Sequence, residues 1–222
     1  MEVKASLHIH VQGDPTENIK YSGFQLLDLA QARGFEVIAF TCHDKVVYSK
    51  DLAEYANFKG IVLIPGIEKT IQGKHVIILN ATPETEQIQT FMELKKYKSE
   101  NPNCFILAPH PFHIFGCSLG YQLIKYINLF DGIEFNYFYN WLLNPNIISK
   151  FIAKKYNKPL IGTSDVHMLE YFSATYSTIQ IQEKNLNSIL NSLKSNKVEI
   201  TTKSFSVLEL IKLILKLFKA VK

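Results

Sequence analysis

The chain has 222 residues, of which 47% are hydrophobic and 20% charged, with a formal net charge of +4. This balance is typical of a soluble globular domain with one sizeable core and excludes a disordered chain. Arg33 is the only arginine, which disfavours a cluster of arginines that binds phosphate through bidentate contacts. The mild positive charge does not indicate nucleic-acid binding, which would need a clustered basic face.

Short apolar runs alternate with helix-like segments along the chain. The runs predict seven strands, at 6–11, 35–41, 60–66, 75–80, 104–109, 132–137 and 159–164. The segments between them include predicted helices over 23–34, 84–100 and 144–158. This alternation predicts parallel pairing and an α/β fold, as an open sheet or a barrel. In either case functional residues gather at the C-terminal ends of the strands.

The C-terminal residues predict a separate amphipathic helix. We therefore divide the chain into a domain at 1–202 and a helix at 203–222. Residues 207–222 carry a polar stripe at spacings of three and four, and the rest of the segment is apolar. Such a helix can pack on its own domain or on a second copy of the chain, and its lysines also suit a membrane surface.

The cysteines bear on compartment and metal chemistry. Cys42, Cys104 and Cys117 form no CxxC motif, and their number is odd. We therefore expect neither a disulfide framework nor a cysteine-rich zinc site. Since the N-terminus carries no long apolar run, we expect no signal peptide and a cytoplasmic location. No run reaches the roughly 18 apolar residues of a membrane span.

The stretch "SLHIHV" has His8 and His10 two residues apart. On an extended segment alternate side chains point the same way, so the two imidazoles lie on one face. The pair suits a metal ion, but it also suits two hydrogen-bonded histidines on a half-exposed strand.

Further histidines and carboxylates follow other predicted strands. They are His43, Glu68, His110, Asp165 and His167. Crowded carboxylates and imidazoles are costly to desolvate without a cation, and mixed nitrogen and oxygen ligation suits Zn, Mn or Fe. The candidates are too many for one ion. We therefore expect two or three divalent ions that share bridging carboxylates and a hydroxide, which is a phosphate-binding arrangement.

The motifs "SLHIH", "TCHD", "IPGIEKT", "APHPF" and "GTSDVH" occur in the order of those in the PHP (polymerase and histidinol phosphatase) superfamily. The chain resembles that family over roughly residues 5–180, and "PHPFHIFGCSLG" is similar to its small stand-alone branch. The resemblance implies an irregular seven-stranded (β/α)7 TIM-like barrel. It also implies a metal-dependent phosphoesterase that hydrolyses a small phosphorylated metabolite or nucleotide through a metal-bound hydroxide.

The resemblance implies a ligand set as well. A first ion would be held by His8, His10, Glu68 and Asp165. Glu68 would bridge to a second ion, whose further ligands would be His110 and His75. A third ion would be held by Asp14, His43 and His167. Asp165 would also take part in catalysis.

Two positions depart from the family pattern. Ser6 and Cys42 stand where the family usually has aspartates. Such aspartates would orient imidazole N–H groups, and Asp44 is a candidate substitute for the second of them. Loss of both carboxylates leaves open a non-enzymatic metal-binding regulator.

Phosphate recognition has three candidates. His113 lies where many family members carry a phosphate-contacting arginine, so it is a candidate catalytic and substrate-binding residue or else a surface residue. Lys45 and Lys69 adjoin the ligands, and each either binds phosphate or is simply solvated. The alternative to a small phosphorylated substrate is a nuclease, for which the run "FNYFYNW" (135–141) would stack bases unless it belongs to the core.

Overall fold

The computed structural model describes residues 1–209 and residue 212. In this part of the chain one sheet contains nine strands: β1 Glu2–Ser6, β2 Phe35–Phe40, β3 Val62–Ile71, β4 Lys74–Leu79, β5 Phe105–Ala108, β6 Gly132–Asn136, β7 Leu160–Thr163, β8 Thr175–Gln180 and β9 Val198–Thr202. The α-helices are α1 Gly23–Ala32, α2 Lys50–Phe58, α3 Phe91–Glu100, α4 Tyr121–Lys125, α5 Asn146–Lys155 and α6 Leu186–Lys194. Short 3₁₀ turns lie at Pro83–Gln87, Ile127–Leu129 and Leu169–Tyr171.

The sheet curls into a nearly closed barrel. Its strand order is β7-β6-β5-β4-β3-β2-β1-β8-β9. At the seam the amide of Gly162 donates to the Ser177 hydroxyl at 2.9 Å, and that hydroxyl donates to the Gly162 carbonyl at 3.0 Å. A Cβ at position 162 would lie 2.7 Å from Ile200 Cγ2. The seam therefore depends on glycine for the close approach of β7.

The α/β, barrel-like prediction is confirmed, but the sheet has nine strands of mixed direction and not seven parallel ones. β3–β4, β4–β5, β1–β8 and β8–β9 pair antiparallel. Only Gln72 and Gly73 join β3 to β4, both with positive φ (50° and 75°). A two-residue connection of this kind makes a hairpin, whereas a parallel pair needs a long crossover.

Strands β8 and β9 were missed because they are not apolar runs. In β8, Thr175 and Ser177 are fully buried polar residues that alternate with half-exposed neighbours. A search for continuous apolar stretches does not detect a strand of this kind, although its alternation has period two.

The core lies on both faces of the sheet. In β2, Val37 and Ala39 pack in one cluster with Leu190 of α6, and Ile38 packs in another with Leu26 of α1. Helix α1 begins at Ser22, which forms a reciprocal capping box with Gln25. Along β2 both faces of the sheet are therefore apolar.

The described part of the chain contains no helix long and apolar enough to cross a membrane. Ser206 and Glu209 cap each other reciprocally, and residues 207–209 are helical. Most of the helix predicted over 203–222 lies outside the described residues. Its packing partner and its membrane contact therefore stay predictions.

Candidate metal centre

The segment that carries His8 and His10 lies just beyond β1. Strand β1 ends at Ser6, so the two histidines follow the strand and are not part of it. The His8 carbonyl accepts from the amide of Val166, and the amide of His10 donates to the Val166 carbonyl at 3.0 Å. On the other side the amide of Thr41 donates to the Ile9 carbonyl at 2.8 Å. The segment is therefore held between the residues that follow β2 and β7.

Two site residues have backbone conformations that are uncommon outside glycine. His110, which follows β5, has φ of 29°, and Asp165, which follows β7, has φ of 44°. Left-handed conformations of non-glycine residues cost free energy and cluster at functional sites. Their presence at two strand ends that face the same cleft is consistent with a functional constraint.

Glu68 lies at the centre of the cluster and uses its two oxygens on opposite sides. Its Oε2 lies 3.4 Å from Nε2 of both His8 and His10. Its Oε1 lies 3.0 Å from His75 Nδ1 and 3.1 Å from His110 Nε2. The carboxylate is 1% exposed. This arrangement suits a carboxylate that bridges two cations.

The first group of ligand atoms comprises His8, His10, Glu68 and Asp165, all within 4.8 Å of one another. Nε2 of His8 lies 3.1 Å from Asp165 Oδ1 and 3.3 Å from Nε2 of His10. Both histidines are fully buried. We call these four residues the first group.

The second group comprises His75 and His110 around the other oxygen of Glu68. His75 extends from β4, and its side chain is 16% exposed. Three further sets lie within the same 4.8 Å limit: His75, His110 and Cys117; His43, Glu68 and His75; and His10, Asp14 and His43.

In the first group, the Nδ1 atom of each imidazole is hydrogen-bonded to a carboxylate. Glu134 Oε1 lies 2.7 Å from His8 Nδ1, and Asp14 Oδ2 lies 2.8 Å from His10 Nδ1. Asp14 Oδ2 also lies 2.9 Å from His43 Nδ1 and accepts the His43 amide at the same distance. A carboxylate that accepts a ring N–H selects the tautomer and fixes the ring.

These bonds explain why the cluster fits cations. With the Nδ1 protons of His8 and His10 directed at carboxylates, the unprotonated Nε2 atoms face each other and the oxygens of Glu68 and Asp165. All of these atoms are then acceptors, and a buried set of acceptors with no donor between them is costly. A divalent cation would satisfy every one of them.

The raised pKa values of the clustered histidines also show that this site stabilises positive charge. Burial lowers the pKa of His8, but Asp165, Glu68 and Glu134 outweigh it and raise that pKa to about 10. Burial likewise opposes protonation of His75, yet Glu68 raises its pKa to about 11. In the protein without metal, protons would occupy the places that cations suit.

A cavity of about 210 Å³ opens onto the cluster. It is lined by Glu17, His43, Glu68, His75, His110, Phe115, Cys117, Tyr137, Phe138, Asp165 and His167. Three of these residues are aromatic, namely Phe115, Tyr137 and Phe138, and we call them the aromatic wall. Of the run at 135–141, Tyr137 and Phe138 reach this cavity, whereas Phe135 and Tyr139 are buried and Trp141 is 80% exposed.

His167 lies at the cavity beside the first group. Its Nε2 is 3.0 Å from Asp165 Oδ1, and its Nδ1 is 2.6 Å from Glu17 Oε2. The predicted third-ion set of Asp14, His43 and His167 is not among the groups found within 4.8 Å in the described residues. Both oxygens of Asp14 are already hydrogen-bonded, since Oδ1 accepts from Thr16 and Glu17.

The candidate phosphate-binding residues do not line the cavity. His113 is buried, its Nε2–H donates to the Phe138 carbonyl at 3.1 Å, and burial lowers its pKa to about 4. The lowered pKa and the hydrogen bond to a backbone carbonyl differ from the expected protonated donor to phosphate, and a substrate-binding role for His113 stays a prediction. Lys69 is also buried and is paired with Asp44 at 2.7 Å, while Lys45 is exposed.

The two departures from the family pattern have different outcomes. Ser6 is fully buried, and its hydroxyl has no hydrogen-bond partner among the described residues. Glu134, which extends from β6, holds His8 instead. Cys42 is buried beside Val11, and Asp14 holds His43. The expected substitute Asp44 instead pairs with Lys69.

Solved structures similar to this chain support the same fold. A two-domain protein from Bacteroides vulgatus, which contains a predicted PHP-like metal-dependent phosphoesterase, matches with a TM-score of 0.72 and 18% identity over 97% of this chain and 70% of that one. The chain has the PHP fold. The lesion-specific endonuclease PfuEndoQ from Pyrococcus furiosus matches with a TM-score of 0.66 and 12% identity over 96% of this chain and 66% of that one.

A third structure, PsfC from Pseudomonas syringae, matches with a TM-score of 0.69 and 14% identity over 100% of this chain and 99% of that one. No protein-family model and no curated protein matches the chain. The family resemblance inferred from the motifs is therefore confirmed at the level of the PHP fold.

Three residues of this site are not predicted from the sequence. Glu134 is a lone acid in the apolar strand "GIEFN", and an acid at a buried strand position is a signal that could have been used. Glu17 lies in a polar loop that carries no such signal. Cys117 was set aside because it belongs to no CxxC motif.

Proposed function

We propose that the protein is a metal-dependent phosphoesterase of PHP type that hydrolyses a small phosphorylated metabolite or nucleotide. The observation that carries this proposal is Glu68, whose Oε2 faces the imidazoles of His8, His10 and His43 and whose Oε1 faces those of His75 and His110. A bridging carboxylate of this kind is what a two-ion phosphoesterase site requires.

In this proposal the first group holds one divalent ion, and His75 and His110 hold a second beside Glu68. Mixed imidazole and carboxylate donors suit Zn, Mn or Fe. For these two ions Asp14 and Glu134 act as positioning residues, because their oxygens are already hydrogen-bonded to the imidazoles and to nearby donors. A third ion at Asp14, His43 and His167 stays a prediction.

When bound, the ions would polarise the phosphate oxygens and supply the nucleophile from water. The chain itself would hold and orient these groups and supply the proton that the leaving oxygen needs. His167 is our candidate for that proton. It lines the cavity, Glu17 holds its Nδ1, and nearby carboxylates outweigh burial and raise its pKa.

The cavity favours a small substrate. Its volume of about 210 Å³ is below the range usual for sites that enclose a whole drug-sized ligand. Among the described residues that line it there is no lysine or arginine. Binding of a nucleic-acid strand usually uses a positively charged groove that follows the backbone.

A nuclease is the second candidate, and the aromatic wall favours it. Phe115, Tyr137 and Phe138 could stack on a base beside the cluster, because every base has a π-face. The same wall could contact the base of a mononucleotide, so it does not by itself distinguish the two substrates.

The test combines metal analysis with a substrate panel. Protein purified without chelator should contain about two equivalents of Zn, Mn or Fe, and should hydrolyse a sugar phosphate or a nucleotide when supplied with Mn or Zn. Short single-stranded DNA and RNA should be poor substrates. Glu68→Gln serves as the inactive reference, and Glu54→Gln on the exposed face of α2 as the matched control.

Metal-free protein from a metal-replete preparation would refute the proposal. Cleavage of oligonucleotides in preference to every small phosphoester would replace it with the nuclease.

A further inference from the structure

Cys117 lies beside the second group. His75, His110 and Cys117 offer ligand atoms within 4.8 Å of one another, and Cys117 lines the cavity. The turn at residues 116–118 is tied to this part of the site at three points. The amide of His75 donates to the Cys117 carbonyl at 2.9 Å, Lys74 Nζ donates to the Gly116 carbonyl at 2.8 Å, and Ser118 Oγ lies 3.4 Å from His110 Nδ1.

The three cysteines differ in their surroundings. Cys42 and Cys104 are buried within apolar clusters, where a thiol behaves as a small hydrophobic group. Cys117 belongs to none of the three apolar clusters formed by the described residues, is only partly buried, and adjoins two imidazoles and a cavity. Packing accounts for the first two thiols but not for the third.

We propose that the Cys117 thiolate is a ligand of the ion held by His75 and His110. This inference rests on the proposed metal-dependent function and specifies the chemistry of its second ion. Two imidazoles and a thiolate beside the Glu68 carboxylate form a softer donor set than the first group has. Thiolate ligation favours Zn over Mg or Mn, so the two positions would differ in metal preference.

The first experiment uses cobalt as a spectroscopic probe. Metal-depleted protein is titrated with Co²⁺, and its near-ultraviolet absorption is recorded along with the amount bound. A thiolate-to-cobalt charge-transfer band should grow as the second position fills. The band should be lost in Cys117→Ser and kept in Cys104→Ala, the matched control in the apolar core.

The second experiment uses the unaltered protein and therefore does not depend on the folding of a variant. Iodoacetamide should alkylate Cys117 in metal-depleted protein, and Zn²⁺ should protect it, as read by peptide mass spectrometry. The fraction modified should fall with the zinc equivalents that fill the second position.

The outcomes separate the two proposals. Co²⁺ binding without a charge-transfer band, or alkylation unaffected by Zn²⁺, overturns the role of Cys117 and leaves the metal centre standing. Failure to bind Co²⁺ at all overturns both. A band that survives in Cys117→Ser also overturns the inference.

Discussion

The two groups of ligand atoms that meet at Glu68 differ in how their imidazoles are held. In the first group, His8 and His10 are fully buried, and a carboxylate lies within 2.8 Å of each Nδ1. In the second, the only partner of His110 Nδ1 among the described residues is the Ser118 hydroxyl, at 3.4 Å, and the side chain of His75 is 16% exposed.

The difference points to unequal affinity. A carboxylate behind an imidazole fixes the ring and raises its basicity, and its loss typically costs ten- to a hundredfold in metal affinity. We therefore expect the first group to bind its ion more tightly and the second to exchange more readily. A Cys117 thiolate would add a negative charge to the second group, whose His110 is not hydrogen-bonded to a carboxylate through Nδ1.

The largest effect is expected where the two groups meet. Glu68→Gln removes the charge that faces both, so metal analysis should find both ions depleted and phosphoesterase activity should fall by more than about a hundredfold. Glu54→Gln, which changes an exposed acid, should leave metal content unaltered. A Glu68→Gln protein that keeps both ions would show that Glu68 does not bridge.

His75→Ala should affect the second group alone. The variant should retain about one ion equivalent and be less damaged than Glu68→Gln, because the first group keeps all its ligands. Titration calorimetry with Zn²⁺ on metal-depleted protein measures this directly. If His75→Ala were the more damaging change, the assignment of ligands to the two groups would be wrong.

Glu134→Gln tests the support behind the first group. The amide has nearly the shape of the carboxylate but cannot match its charge, so the affinity of the first position should fall by about ten- to a hundredfold. The second position should change less, because Glu134 contacts His110 through the backbone amide and not through the imidazole. The measurement is the same Zn²⁺ titration, with thermal unfolding as a control for folding. An equal loss of Zn²⁺ affinity at both positions would refute the idea that carboxylates support the first group more than the second.

The smallest effect on the metal centre is expected at His113, which lies outside both groups. His113→Gln retains a donor for the Phe138 carbonyl and should leave metal content unchanged, whereas His110→Ala should lose metal. A His113→Gln protein that loses metal would place this residue inside the centre.

The variant should instead change the pH dependence of stability. The pKa of His113 is lowered from 6.5 to about 4 in the folded state. Between these values the unfolded chain binds a proton that the folded chain does not, so stability falls as pH falls. The stability that depends on a neutral His113 is fully present above pH 6.5. It amounts to about 3 kcal/mol of the free energy of unfolding. Denaturant unfolding of metal-depleted His113→Gln should show a correspondingly flatter profile.

Much of the fold followed from local pattern. Six of the predicted strands match observed ones to within about two residues at most of their ends, because continuous apolar runs bounded by turns mark buried strands. The first run was different, since its two histidines lie beyond the end of β1. The number of strands was also wrong, since β8 buries threonine and serine where a hydrophobic search expects aliphatic residues.

The side chains that assemble at the site can be predicted from the residue order alone. His8, His10, Glu68, His110 and Asp165 lie at or just beyond strands, and such positions in this kind of fold converge at one end of the barrel. That convergence depends on the order of elements and little on their exact packing.

The hydrogen-bond partners and neighbours of these side chains, in contrast, depend on how the chain packs in three dimensions. Glu134 bonds to His8, which is 126 residues away in the sequence. Cys117 lies near His75 because of an irregular turn that shows no helix or strand periodicity. His113 is buried and has a lowered pKa, although it lies three residues from His110. Such relations depend on which strands are neighbours and how loops pack over them, and residue spacing carries no information about either.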